Sequence, residues 1–341
     1  MRYLVAIVAV VLAIWTGFWF FLAGQIEDGA TRYLAEQAGR GREIRYESLD
    51  VSGYPYRFEL DVTAPFVASR DGAVTWQAPR LRAEALAYAP THIIASFPDS
   101  QSLTLGALRL DLATERMQAS LRTDPTPSLP LDHMTVEAEG INLSTNAGWG
   151  LTAEKAIFAT RQSEMTGAAP DAHDLVLQLA GFTPDAALRA RIDPDGRMAP
   201  VIGPVGLDAT VTLDAPVDRA IFAPGARLPE LIRLDLRNGS LVWGESSIRV
   251  SGQLDFGPAG LAEGTLQLSV AGWQDILRLA VSFGLVPEGQ RRAVEQGMRL
   301  LEATRFGPKT LDLSLPVREG VVLLGPLPVA TLPRALRQQG F

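Results

Sequence analysis

The chain has 341 residues and a net charge of −7, enough length for one large domain or two smaller ones, and too little clustered Lys and Arg to neutralise a phosphate backbone. Nucleic acid is therefore excluded as the expected partner. It contains no cysteine, which excludes disulfides, thiolate metal sites and a cysteine nucleophile, and leaves stability to the burial of apolar, mainly aliphatic, side chains.

Residues 3–22, YLVAIVAVVLAIWTGFWFFL, hold no charge. About 20 apolar residues at 1.5 Å rise cross a ~30 Å hydrocarbon core, so this run is expected to span a membrane. A cleavable signal peptide has a shorter apolar centre ending in a small-x-small site, and cutting after Gly24 puts Leu22 where a small residue is wanted; the expectation is a retained anchor over residues 1–24. Arg2 precedes the run and Glu27 and Asp28 follow it, which predicts a cytoplasmic N-terminus, a single pass through the inner membrane and a periplasmic body. Trp15, Phe18, Trp19, Phe20 and Phe21 gather near the outer end, where aromatic rings suit the headgroup level.

Residues 25–42 follow as an amphipathic linker helix, with Ile26, Ala30, Tyr33, Leu34 and Ala38 at helical spacing, ended by Gly39-Arg40-Gly41. From residue 43 to 341 the expectation is a β-rich extracytoplasmic body. Tyr54, Tyr56, Phe58, Leu60 and Val62 alternate with polar residues, with Gly53 and Pro55 marking a bend or bulge at the start of the strand. Shorter alternations follow at Val74 and Trp76, at Leu81, Ala83, Ala85 and Ala87, from Leu103 to Leu112, and at Met117, Ala119 and Leu121. Segment 123–131 holds three prolines and reads as a loop or a seam between subregions. Further strands are predicted around residues 136–143, 151–153, 175–179 and 188–192, and the Pro- and Gly-rich stretch 194–206 is a second candidate seam. Leu207 to Leu213 alternate regularly, Asn238-Gly239 predicts a tight hairpin, and strands at 248–256 and 266–270 are joined by a turn at residues 257–260.

Residues 273–283 and a second segment opened by Pro287, with Val294, Met298 and Leu301 on one stripe, predict a helical hairpin near 273–304 that covers sheet surface. Strands resume at Leu311, Leu313 and Leu315 and at 321–324. The fold class is thus mainly β: an N-terminal transmembrane helix, then an elongated antiparallel sheet with an inserted helical hairpin. Apolar sheet faces need a cover, which leaves a sandwich, a closed barrel, or a folded sheet whose aliphatic groove is open to lipid.

The residues carry no catalytic signature. His92, His133 and His173 are far apart and lack metal-ligand spacing, so no metal is expected. Asp132-His133 and His173-Asp174 read as surface polar pairs. No GxSxG, GxxxxGK[ST] or GxGxxG occurs, and Asp193-Pro194-Asp195-Gly196 lacks the later ligands of a calcium loop and reads as a β-turn. The chain is expected to be no enzyme, with no cofactor and no catalytic residue.

The block SGYPYRFEL at 52–60, following the anchor and its helix, resembles the G-[FY]-P-[FY]-R-[FLV] segment of a bacterial envelope family, domain of unknown function 2125. So do RNGSLVWGESSIRVSG at 237–252, EGTLQL at 263–268 running into a helix at Trp273, and LLGPLP at 323–328. More distantly, anchor plus strand meander resembles the AsmA-like envelope proteins, whose elongated sheets form apolar grooves implicated in lipid movement between membranes; this chain is shorter than those bridges. The resemblance implies a body that binds or shields lipid or another apolar ligand in envelope maintenance. The alternative is a structural or assembly protein with a filled core that contacts envelope protein partners. The expected partners are the bilayer through residues 3–22, then lipid or envelope proteins.

Overall fold

The computed structural model describes residues 1–164, 171–223, 226–282, 284, 286–303 and 310–335. Among the described residues the fold is mainly β with four α-helices. Helix α1 (Arg2–Gly39) runs unbroken for 38 residues, about 57 Å at 1.5 Å per residue. The expected boundary at residue 24 does not interrupt it: no proline falls within the helix, and the lone glycines at 17, 24 and 29 cost roughly 1 kcal/mol each, too little to break a helix of this length. It stops where Gly41 takes a positive φ.

The chain divides into two units, residues 1–123 with 136–148, and residues 124–135 with 149–341. One change-over falls at Thr123, where the proline-bearing segment begins. The first unit contains α1 and strands β1 (Glu43–Arg45), β2 (Ser48–Ser52), β3 (Arg57–Thr63), β4 (Phe66–Ala68), β5 (Val74–Gln77), β6 (Arg80–Leu86), β7 (Ala89–Phe97), β8 (Ser100–Leu105), β9 (Leu108–Ala113) and β10 (Arg116–Thr123). It also holds most of β11 (Leu131–Thr145). All pairings are antiparallel. One ladder runs β2–β3–β6–β7–β10, the other β1–β4–β5–β8–β9–β11.

The second unit is a meander of β12 (Gly150–Gln162), β13 (Ala172–Ala180), β15 (Val205–Leu213), β16 (Leu231–Trp243), β17 (Ser246–Phe256), β18 (Ala262–Ala271), β19 (Thr310–Arg318), β20 (Val321–Leu324) and β21 (Leu327–Thr331), each paired with the next. The short β14 (Thr183–Pro184) joins β12. Helices α3 (Trp273–Ser282) and α4 (Arg291–Ala303) form the expected hairpin, and their Trp273, Leu277, Val294 and Met298 are buried with Leu311, Leu313, Leu315 and Val317 of β19. This is a closed, filled core.

Several expectations are corrected. Asn238-Gly239 makes no hairpin: β16 continues through it with a bulge between Leu236 and Gly239, and the two-residue turn lies at Gly244-Glu245, where Gly244 has φ +62°. Residues 188–192 are not a strand but part of α2 (Ala186–Ile192), because Asp185 caps the helix by accepting the Leu188 N–H at 2.7 Å, and Leu188 and Ile192 meet one face equally well at helical spacing. Segment 194–206 is no seam, since Met198 and Ile202 are buried with Ile192, Trp243 and Leu279 inside the second unit. Tyr54 and Tyr56 belong to a turn that precedes β3 and are exposed. Strands β1, β2, β4 and β7 lie outside the expected runs, although Thr91 to Phe97 of β7 is rich in β-branched and aromatic residues. Phe283, the Leu301 side chain and residues 336–341 lie outside the described residues.

Candidate functional site

The first unit places the body directly against α1. Trp19 is 3% exposed; its ring stacks on Phe58 of β3 (centroids 5.3 Å, 15°) and its indole N–H donates to the Arg57 carbonyl at 3.1 Å. One turn of helix earlier the Trp15 indole N–H donates to the Pro55 carbonyl at 3.1 Å, and Tyr54 and Thr16 hydroxyls lie 2.7 Å apart. Thr16 donates its own proton to Leu12 O, so the Tyr54 hydroxyl is the donor of that pair. Leu22, Ala23, Ile26, Val51 and Ala87 complete an apolar cluster around Trp19 and Phe58. The two tryptophans expected at the headgroup level are thus also the points at which the block 52–60 is held.

From that cluster an apolar face extends across five strands. The registers align Phe58, Ala85, Ile93 and Leu121 in one row, and Val51, Leu60, Ala83, Ala95 and Ala119 in the next. Leu49, Val62 and Leu81 form a third row, with Met117 opposite Phe97. Only Phe58 and Leu49 of these are fully buried, and Ile93 is exposed. Three alanines side by side on β6, β7 and β10 leave the middle of the face shallow. The other ladder of the unit approaches this face where Gln101 of β8 accepts the Trp76 indole N–H at 2.8 Å and donates to Met117 Sδ at 3.1 Å.

The reverse face of the same strands is charged. Arg80 and Arg82 bind Asp61, and Arg57 and Arg82 pair with the buried Glu59. Burial raises the Asp61 carboxyl, but hydrogen bonds and charge from Arg80 and Arg82 outweigh it and hold the group below the ordinary aspartate range. A second polar cluster lies on β13, β15 and β16, where Asp174 accepts from Thr210 at 2.7 Å and Ser163 at 3.2 Å and pairs with Arg237. Burial again opposes these partners and loses, so Asp174 also sits low. Asp61 and Asp174 are thus held as carboxylates engaged with cations, which suits sheet stabilisation.

The histidines stay apart. His92 bonds the Ser120 hydroxyl at 2.9 Å, and His133 lies beside Asp132 at 3.2 Å, half exposed. His173 is buried rather than superficial, its Nδ1 has no partner, and desolvation pushes its pKa below the ordinary value against the pull of Asp171 and Asp174. The Asp193 turn is as expected: Gly196 N–H donates to Asp193 O, and the buried carboxylate accepts the Arg197 and Met198 N–H groups. A cavity of ≈ 200 Å³ beside it is lined by Asp195, Asp275, Arg278, Glu288 and Arg291, whose charges pair with one another. Among the described residues no three potential metal ligands stand together.

The sequence pattern identified the apolar residues of β3, β6 and β10 in these rows but missed Leu49 and Val51 with β2 and Ile93 and Ala95 with β7, and it had no means of seeing that Trp15 and Trp19 hold residues 55 and 57. No curated protein and no solved structure matches the chain. The model of one family, described as "Uncharacterized protein conserved in bacteria (DUF2125)", matches residues 19–333, which takes in the docked tryptophan, the block 52–60, all five strands of the apolar face and both helices of the hairpin. On that match, the chain belongs to the bacterial DUF2125 family.

Proposed function

We propose that the protein is a single-pass inner-membrane protein whose periplasmic body binds or shields the acyl chain of a lipid on the apolar face of its first unit, without catalysing a reaction. The observation that carries this reading is a continuous apolar stripe that begins at Trp19, Leu22 and Ile26 on α1 and passes through Phe58 and Val51 to the alanine rows, where it is only half buried. An apolar surface of this extent, left partly open next to a membrane helix, is stabilised by covering it, and each CH₂ taken from water contributes about 0.8 kcal/mol. The contrast within the chain supports it: the second unit closes its sheet with α3 and α4, whereas the rows at Ala83, Ala95 and Ala119 keep small side chains where large ones would fill the space. The resemblance of anchor and meander to AsmA-like proteins points to the same class. Paired carboxylates and solitary histidines fit a binding body rather than an enzyme.

Native mass spectrometry of the full chain in detergent tests the proposal. Phospholipid is expected to copurify, and Ala95→Trp, which fills the middle row, is expected to remove most of it while the circular dichroism spectrum is unchanged. A wild-type chain free of lipid, or a variant that retains it in full, overturns the reading.

A further inference from the structure

Beside α1 the first unit presents a cluster of exposed aromatic side chains. Two turns meet there: residues 54–57, and residues 87–88 between β6 and β7, joined by the Ala87 N–H donating to the Tyr56 carbonyl at 2.9 Å. Three tyrosines project from them, with Tyr56 72% and Tyr88 76% exposed and Tyr54 less so. Their depth is fixed by α1. Pro55 is level with Trp15, yet Phe20 and Phe21, five and six residues further out along the helix, are 61% and 64% exposed, Phe20 even though its ring stacks on Tyr54 at 5.7 Å. Covering those two rings requires the membrane boundary to reach residue 21, which puts Pro55 about 9 Å below it at 1.5 Å per residue. A polar turn survives at that depth only if its hydrogen-bonding groups are satisfied internally. Here the Gly53 carbonyl takes the Arg57 N–H, the Pro55 and Arg57 carbonyls take the two indoles, the Tyr56 carbonyl takes the Ala87 N–H, and the Tyr54 hydroxyl is held by Thr16.

We propose that this pair of turns sits in the headgroup layer of the bilayer that α1 crosses, with Tyr54, Tyr56 and Tyr88 as interfacial anchors, so that the body is held against the membrane rather than hung from it. Tyrosine suits that layer because its ring is apolar and its hydroxyl is wet. The inference rests on α1 spanning the membrane but not on lipid binding by the apolar face.

Because the chain lacks cysteine, single-cysteine variants can be spin-labelled directly. Tyr56→Cys and Tyr88→Cys are compared with Leu12→Cys in α1 and with Asp99→Cys beyond the far end of β7, roughly 30 Å from Tyr88 at 3.3 Å per residue. The full chain is reconstituted in vesicles of phosphatidylethanolamine and phosphatidylglycerol, and collisions with oxygen and with a water-soluble nickel chelate are measured. Labels at 56 and 88 are expected to favour oxygen, at a shallower depth than label 12, while label 99 favours nickel. Labels 56 and 88 behaving like label 99 while label 12 reports hydrocarbon would overturn this inference alone; an aqueous label 12 would overturn it together with the spanning helix. Lipid copurification is unaffected by the first of those failures.

Discussion

At Trp19 one side chain joins the membrane helix to the sheet by two separable interactions. The Phe58 stack is an apolar burial, and truncation of a buried aromatic costs about 3–5 kcal/mol. The hydrogen bond to Arg57 O is worth about 1 kcal/mol. Trp19→Ala is therefore expected to destabilise the first unit severely and Trp19→Phe only mildly, read as the detergent-solubilised chain's thermal midpoint and its rate of proteolysis in residues 43–123. His173 gives a different kind of prediction. Its folded pKa is depressed below 6.5, so the unfolded chain binds the proton first as pH falls. The stability contributed by neutral, buried His173 is complete above about 6.5 and is lost as pH drops from there through the folded pKa. Denaturant midpoints at pH 7.5 and 5.5 are expected to differ in the wild type and to differ less in His173→Leu; an equal pH dependence in both would contradict the assignment. His173-Asp174 looked superficial in the sequence because the alternation of β13 says which residues share a face, not which face β15 and its neighbours cover.

At the scale of elements, β17 and β18 approach each other through two glycines. A Cβ on Gly252 would lie 2.2 Å from the Thr265 carbonyl and one on Gly264 2.1 Å from the Gln253 carbonyl, both backbone atoms that cannot yield without moving a strand. Both residues also hold a positive φ. Gly252→Ala and Gly264→Ala are each expected to cost about 1–3 kcal/mol or more, seen as a lowered denaturation midpoint, whereas Gly257→Ala, with open space around it, is expected to be nearly silent. The same part of the chain shows where local signals mislead. Asn-Gly is a strong hairpin signal, yet it can equally be absorbed as a bulge; Trp243 pairs with Ser246 and fixes the turn at Gly244-Glu245, beyond the bulge, because Trp243 is buried against Met198 and Ile202. Residues 188–192 fail for a related reason: alternate apolar residues over five positions satisfy a strand and a helix turn alike, and the Asp185 cap decides between them.

For the whole molecule, the predicted topology has a direct check. A reporter enzyme active only outside the cytoplasm, fused after residue 335, is expected to be active, and a fluorescent protein that matures only in the cytoplasm is expected to stay dark; the reverse pattern would place the body on the other side. The apolar run, the β-rich body, the helical hairpin and the family blocks were all legible in the amino-acid sequence, because length, hydropathy, period two and period 3.6 are local properties carried by residues such as Leu207 to Leu213 and Val294 to Met298. What the sequence determined by itself is that this chain carries a membrane-length helix and many strands with one apolar face each. Only the tertiary structure decided that α1 continues without a break to Gly39, that Trp15 and Trp19 hold the turn at residues 54–57, and that Ala83, Ala95 and Ala119 line up. Those facts depend on strand register and on contacts between residues dozens of positions apart, and no periodicity within one segment encodes which distant segment will lie beside it.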